Sequence, residues 1–259
     1  MPVLMRPWGH MNFRVRGPQD GVPVVFLNSL GTDLRMWDAV VDRLPGVRAV
    51  GLDKPGHGLS ATPSGDWSLA DLAADAVALM DHLGIGRAVV AGCSIGGMIG
   101  QMLGARHPDR VRGLVLSNTA MKVGTAESWA ARIEGVRILG MAGLAPQVIE
   151  RWFAAPFRAT DEVLPWVTML ARGDAQGYIG TCRVLAAADL TAESPRIACP
   201  VQLIGGSADL STPVDLVRAT AAAIPGARVE VIEGSGHIPA IDNPDRTAAL
   251  IGGFVEGLA

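Results

Sequence analysis

Ser94, in the pentad Gly92-Cys93-Ser94-Ile95-Gly96, is the residue whose setting carries the most chemistry. A serine hydroxyl attacks a carbonyl only when the backbone presents it. A Gly-x-Ser-x-Gly pattern does so at a strained strand-to-helix turn, where glycines on both sides let strand and helix pack closely. The run Ala88-Val89-Val90-Ala91 reads as the strand, and Gly97 to His107 has helical spacing through Met98, Gln101, Met102 and Ala105. A helix starting at the serine also brings backbone N–H groups and a positive dipole end to any negative charge that develops there. The competing reading is an inert serine in a glycine-rich turn, and the strand-helix context weighs against it.

A neutral serine needs a general base within hydrogen-bond reach. Of the five histidines, His10 precedes the first predicted strand, His57 lies in a glycine-rich loop, His82 nears a helix end and His107 ends the helix after Ser94. His237, in Gly234-Ser235-Gly236-His237 after the last predicted strand, lies where a loop can aim the ring back over the sheet edge. A third residue should orient the imidazole and stabilise its protonated form. Asp209 follows the apolar run Val201 to Ile204 through Gly205-Gly206-Ser207-Ala208 and fits that task, although it could instead cap a helix starting near Pro213. Asp215, on that helix, and Asp242, beyond the histidine, fit less well. A tetrahedral oxyanion needs two backbone N–H donors, and Ile95 with Leu30, in Asn28-Ser29-Leu30-Gly31, are the candidates.

These residues need a scaffold of strand ends. Short β-branched runs at Val22 to Leu27, Val47 to Leu52, Ala88 to Ala91 and Val111 to Leu116 alternate with amphipathic stretches, which is the α/β pattern of a mostly parallel sheet flanked by helices. A helix with Leu69, Leu72, Ala73, Ala76, Val77, Met80 and Leu83 follows the N-cap Ser68 and stops at Gly84. From about Met121 to Pro195 no strand is predicted. The expected organisation is a core of residues 1–120 and 196–259 with a helical cap insertion at 121–195. The alternation resumes at Val201 to Ile204, a helix from about Pro213 to Ala223, a strand at Val229 to Ile232 and a helix from Asp245 to Phe254.

Composition narrows the function classes. A chain of 259 residues buries a large core without staples, and a net charge of -3 gives no reason to expect a nucleic-acid partner. Three widely spaced cysteines and scattered histidines suggest neither disulfides nor a metal site, and no Walker-type lysine follows a glycine-rich loop. With no membrane-length apolar stretch and no export pattern, a cytoplasmic enzyme without cofactor or metal is expected; its oligomeric state is not encoded in any of these patterns.

The chain resembles the α/β-hydrolase family, with triad order Ser94, Asp209, His237 and the loop Asp53-Lys54-Pro55-Gly56-His57-Gly58-Leu59-Ser60. Within that fold it most resembles the 3-oxoadipate enol-lactonases of the β-ketoadipate pathway of aromatic catabolism. That closer match rests on Phe26-Leu27-Asn28-Ser29-Leu30-Gly31-Thr32-Asp33 with Met36-Trp37, on Ser94 to Gln101, and more weakly on Gly177-Tyr178 and Gly205 to Pro213. Most members of the fold begin the early loop with His-Gly, where this chain has Asn28-Ser29. Pro55 departs from the arginine usual in the second loop, so no salt bridge carries over to that position. The resemblance implies a small-molecule lactone substrate with a carboxylate, opened through an acyl-enzyme. Cap residues would bind it, with Trp129, Arg132, Arg137 and Trp152 as candidates and Arg172 and Arg183 as further cations. A general carboxylester or carbon-carbon bond hydrolase with the same triad is the alternative, and a non-catalytic ligand-binding module is a third reading.

Overall fold

The computed structural model describes residues 2–258. The chain opens with β1 (Val3–Arg6), β2 (Gly9–Arg16) and β3 (Val22–Leu27), then a short α1 (Asp38–Val41) and β4 (Val47–Leu52). Next come α2 (Leu69–His82), β5 (Ala88–Cys93), α3 (Ile95–Arg106) and β6 (Val111–Ser117). The sheet has eight strands in the order β1-β2-β4-β3-β5-β6, completed by β7 (Val201–Gly206) and β8 (Arg228–Ile232). β1 with β2 and β2 with β4 run antiparallel; all other pairs are parallel.

β1 and β2 are absent from the sequence-based expectation, which starts the sheet at Val22. Their half-exposed alternation, in β1 Val3 and Met5 outward, is a weak signal beside the continuous apolar runs of the central strands. His10 therefore lies within β2 rather than ahead of the first strand, its Nε2 3.1 Å from the Leu59 carbonyl. Elsewhere boundaries move by a few residues. β5 continues through Gly92-Cys93 and β7 through Gly205-Gly206, because parallel pairing to β6 and β8 carries glycine into the ladder. α2 starts at a capping box in which Ser68 and Asp71 each bond the other's backbone N–H.

Between β6 and β7 the described chain is helical: α4 (Ala126–Trp152), α5 (Ala155–Arg158), α6 (Leu164–Ala171) and α7 (Ala175–Ala187), with short 3-10 turns. α4 is two helices joined at Gly140, whose φ of 66° and ψ of 176° break the helical path. These helices pack on one another and lie over the loops at the C-terminal ends of the strands. After β7 come α8 (Val214–Ala223), α9 (Pro239–Asp242) and α10 (Pro244–Glu256). All six residues of β5 are buried, and one continuous apolar core runs from the sheet into the cap.

The cap docks on the core where Gly177 of α7 meets Gly56, a residue at φ +66°; a Cβ on either would strike the other's backbone. Gly177→Ala is expected to lower stability by about 1–3 kcal/mol through forced separation of cap and core, read from urea unfolding midpoints. Unchanged stability would show that the contact is slack.

Candidate active site

Ser94 sits between β5 and α3 with φ 57° and ψ -119°, a conformation that L-residues rarely adopt. Its N–H donates to the Ser117 carbonyl at 2.9 Å, and its carbonyl accepts from Thr119 Oγ1 at 2.7 Å. The tight turn needs glycine on both sides. A Cβ on Gly92 would strike the Gly96 carbonyl, and one on Gly96 would strike the Leu27 carbonyl of β3. Both exposure and packing are thereby set: Ser94 is buried yet lines a cavity under the cap.

His237 lies on the same cavity wall, in the loop after β8. Its Nδ1 donates to Asp209 Oδ2 at 2.8 Å, which leaves Nε2 as the basic nitrogen. Asp209, after β7, receives four further hydrogen bonds: Asn118 Nδ2 at 2.8 Å and Thr212 Oγ1 at 2.6 Å on Oδ2, and the N–H groups of Ser211 at 2.6 Å and Thr212 at 3.1 Å on Oδ1. Burial alone would raise this carboxyl. The charge and hydrogen bond of His237, with Thr212 and Asn118, overcome burial and hold it well below the usual carboxylate range. Asp209 thus shapes the loop before α8 but caps no N–H of that helix, and α8 has no side-chain cap. Asp215 is exposed, in an ion pair with Arg218. Asp242 binds Ser235 Oγ and the Gly236 N–H, so it braces the histidine loop from outside.

The other histidines are placed elsewhere. His57 donates from Nδ1 to the Pro55 carbonyl at 3.0 Å and accepts the Gly31 N–H on Nε2 at 3.1 Å. Burial, then the charge of Lys54, push it well below the ordinary histidine value, so it is a neutral strut under the Leu30 loop. Leu30 lines the cavity beside Ser94, while Ile95 is fully buried at the start of α3.

The cavity measures about 180 Å³ and is closed on the cap side by Trp129, Arg132, Val148, Arg151, Trp152 and Tyr178. Arg132 is half-buried with its guanidinium 3.5 Å from the Tyr178 hydroxyl, and exposed Arg151 donates to the Leu210 carbonyl at 2.9 Å. Trp129 donates its indole N–H to the Val123 carbonyl at 2.6 Å. Arg137 is the correction: it is exposed, paired with Glu134 at 3.4 Å, and absent from the cavity wall. Five residues beyond Arg132 on a helix is a rotation of about 140°, so both arginines cannot face one cavity. Arg183 pairs with Asp66, and Arg172 lines a larger groove of about 1070 Å³ beyond Gly31 and Tyr178 that includes neither Ser94 nor His237. The smaller cavity is the one that holds the reactive groups. Sequence reasoning missed Arg151, Tyr178 and Asn118. The helical spacing of Val148, Arg151 and Trp152 carried the signal for the first.

Among the described residues no cluster of His, Cys, Asp or Glu could hold a metal ion, the three cysteines are free, and no helix is long and apolar enough to cross a membrane.

Comparison with known proteins places the fold and the sequence in one family. Residues 22–244 match the α/β hydrolase fold family. The chain is 35% identical to 3-oxoadipate enol-lactonase 2 of Acinetobacter baylyi over 237 residues, covering 90% of this chain and 88% of that protein. It is 32% identical to a pimeloyl-[acyl-carrier protein] methyl ester esterase of Chromobacterium violaceum, covering 88% and 92%. The crystal structure of the enol-lactonase from Burkholderia xenovorans superposes with a TM-score of 0.95 at 35% identity, covering 98% of this chain and 100% of that one. An eight-stranded, mostly parallel sheet with the same family's sequence along most of its length leaves one assignment: the chain belongs to the α/β-hydrolase family and is a carboxylic ester hydrolase.

Proposed function

We propose that the chain opens a small enol-lactone bearing a carboxylate, converting 3-oxoadipate enol-lactone to 3-oxoadipate through an acyl-enzyme on Ser94. The observation that carries this reading is a small cavity lined both by Ser94 and His237, the latter bonded to Asp209 behind it, and by the cations Arg132 and Arg151. A hydrolytic centre facing two guanidinium groups favours an anionic substrate, since charge-assisted pairs to carboxylates are the strong hydrogen bonds. About 180 Å³ is also small beside the roughly 300–1,000 Å³ of sites for drug-sized ligands. That size suits a compact ring better than a long acyl chain. The enol-lactonases among the relatives support the same substrate class.

In this mechanism the Nε2 of His237 takes the Ser94 proton as Oγ attacks the ring carbonyl. The N–H groups of Leu30 and Ile95 hold the tetrahedral oxyanion. Collapse breaks the ring C–O bond; the leaving enolate takes the proton from His237, so the imidazole is neutral again and the opened product stays tethered as the acyl group of Ser94. His237 then draws a proton from water, which attacks the ester; as the ester C–O bond breaks, His237 returns the proton to Ser94 Oγ and the diacid is released. Asp209 stays ionised throughout and stabilises the imidazolium. None of these steps calls for a cofactor.

Turnover is followed as loss of lactone ring absorbance, beside a panel of simple esters and carbon-carbon diketones. Ser94→Ala is expected to lower lactone turnover by about 10⁴-fold or more, and intact turnover in that variant would sink the mechanism. A preference for diketones or plain esters over the lactone would move the assignment to the general hydrolase alternative. Arg132→Met is expected to cost about 10- to 100-fold in kcat/KM on the carboxylate-bearing lactone, the worth of one charged hydrogen bond. On a lactone lacking the carboxylate it should cost little; equal losses on both substrates would remove Arg132 from carboxylate recognition.

A further inference from the structure

The proposed oxyanion hole takes its donors from two peptide groups, Ser29–Leu30 and Ser94–Ile95. The carbonyl of each peptide is itself bonded from behind. Lys54 Nζ donates to the Ser29 carbonyl at 2.6 Å and to the Thr32 carbonyl at 3.2 Å. Thr119 Oγ1 donates to the Ser94 carbonyl at 2.7 Å. Both side chains are buried, and Lys54 reaches Asp53 and Asp33 only through longer-range attraction. The ammonium is therefore aimed at backbone carbonyls.

Fastening alone does not account for a charge there. The Ser29 carbonyl already accepts the Thr32 N–H at 3.3 Å and Thr32 Oγ1 at 2.9 Å, His57 holds the Gly31 N–H, and Asp53 holds the Leu34 N–H at 2.8 Å. A buried ammonium is a costly addition to a loop so well tied. Burial pushes it down to about 7, against the pull of Asp53 and Asp33. What the charge adds is polarisation. A donor on an amide oxygen draws density through the C–N bond and makes the N–H of the same peptide a stronger donor, as in any hydrogen-bond chain. The gain grows with the negative charge on the far end, so it is larger for the tetrahedral oxyanion than for the ground-state carbonyl and belongs to kcat.

We infer that Lys54 is a positioning residue of the oxyanion hole, acting through the Ser29–Leu30 peptide to strengthen the Leu30 N–H, with Thr119 as its neutral counterpart behind Ile95. The inference rests on the reading of Ser94 as nucleophile and of Leu30 and Ile95 as donors.

The test compares the wild type with Lys54→Met and Thr119→Val. It measures turnover of an activated acetate ester, affinity for phenylboronic acid, which adds to the serine as a tetrahedral anion, and the amide proton signals of Leu30 and Ile95 in that adduct. Lys54→Met is expected to lower kcat about 10- to 50-fold with KM and product affinity within about twofold, and to weaken boronate binding by the same factor. It should move the Leu30 amide proton upfield and leave that of Ile95 in place. Thr119→Val should do the converse with a smaller loss, about three- to tenfold; if Lys54→Met does not fold, Lys54→Gln, which removes the charge but keeps a neutral donor, is read in the same way. Turnover within about twofold of wild type in the folded variants would overturn the inference, as would a loss of kcat with neither amide signal shifted, the mark of a merely structural role. Ser94→Ala that still hydrolyses the ester would instead remove the underlying reading, and this inference with it.

Discussion

The candidate site is arranged around the backbone of Ser94, held at φ 57° and ψ -119°. Such a residue costs of order 1–3 kcal/mol and persists only where its surroundings over-determine it. Here four elements do so. β5 delivers the chain, α3 leaves it, β6 binds the Ser94 N–H through Ser117, and β3 lets α3 come close because Gly96 has no side chain to meet the Leu27 carbonyl. The order of the central strands is thus also the support of the turn. Relaxing Ser94 to an ordinary helical or extended conformation would withdraw its hydroxyl from the cavity, and no packing elsewhere would replace it.

The histidine is fixed by different means, from both core and cap. Asn118, itself at φ 47°, donates to Asp209 and to the Gly236 carbonyl at 3.1 Å, and so ties the acid to the histidine loop. From the cap, the carbonyl of Trp152 at the end of α4 accepts the His237 N–H at 2.7 Å. The half of α4 after Gly140, which carries Arg151 and Trp152 to the cavity, therefore also sets the backbone of His237. The Arg151 and Trp152 side of the cavity and the imidazole share one element, so a shift of that half moves both together, whereas Arg132 lies before the break at Gly140. A cap hinged freely on the core could not have this property.

How much was legible in the sequence follows from how far each residue's role is local. Ser94, Asp209 and His237 each lie just beyond a strand with a recognisable run, and a short motif suffices to put them at the same sheet edge. The structure brings these three together, and Leu30 beside them. Asn118 gave no such signal, because its task is to bridge two loops that meet only in the folded chain. Arg137 was selected by type and segment, and the rotation of α4 turns it to solvent while Arg132 faces inward. The N-terminal pair β1 and β2 escaped because half-exposed strands at a sheet edge lack the apolar density that marks the centre. In the sequence Lys54 is only one residue of a glycine-rich loop, since nothing in the order of residues tells that its ammonium ends on the Ser29 carbonyl.

The charges of Asp209 and Lys54 bound the site from opposite ends of the pH scale, but linkage gives both stability contributions the same sign, rising with pH. The Asp209 carboxyl is held below its ordinary range, so its contribution to stability is present above the unfolded carboxylate value, about 3.9, and is lost as pH falls through the folded one. For Lys54 the unfolded chain keeps its proton to about 10.4, while burial pushes the folded value down to about 7. Between those values the unfolded state binds more protons, so stability from this group rises with pH just where its charge disappears. Charge and stability are therefore opposed at Lys54. The groups around it do not remove the conflict: Asp53 and Asp33 attract the proton, His57 is held neutral by burial first and the Lys54 charge second, and the Cys93 thiol is pushed up by burial and stays protonated. A methionine of similar length would fill the same space without that cost. The ammonium earns its place only through the two carbonyls it holds, one of them on the peptide of Leu30, the proposed oxyanion donor.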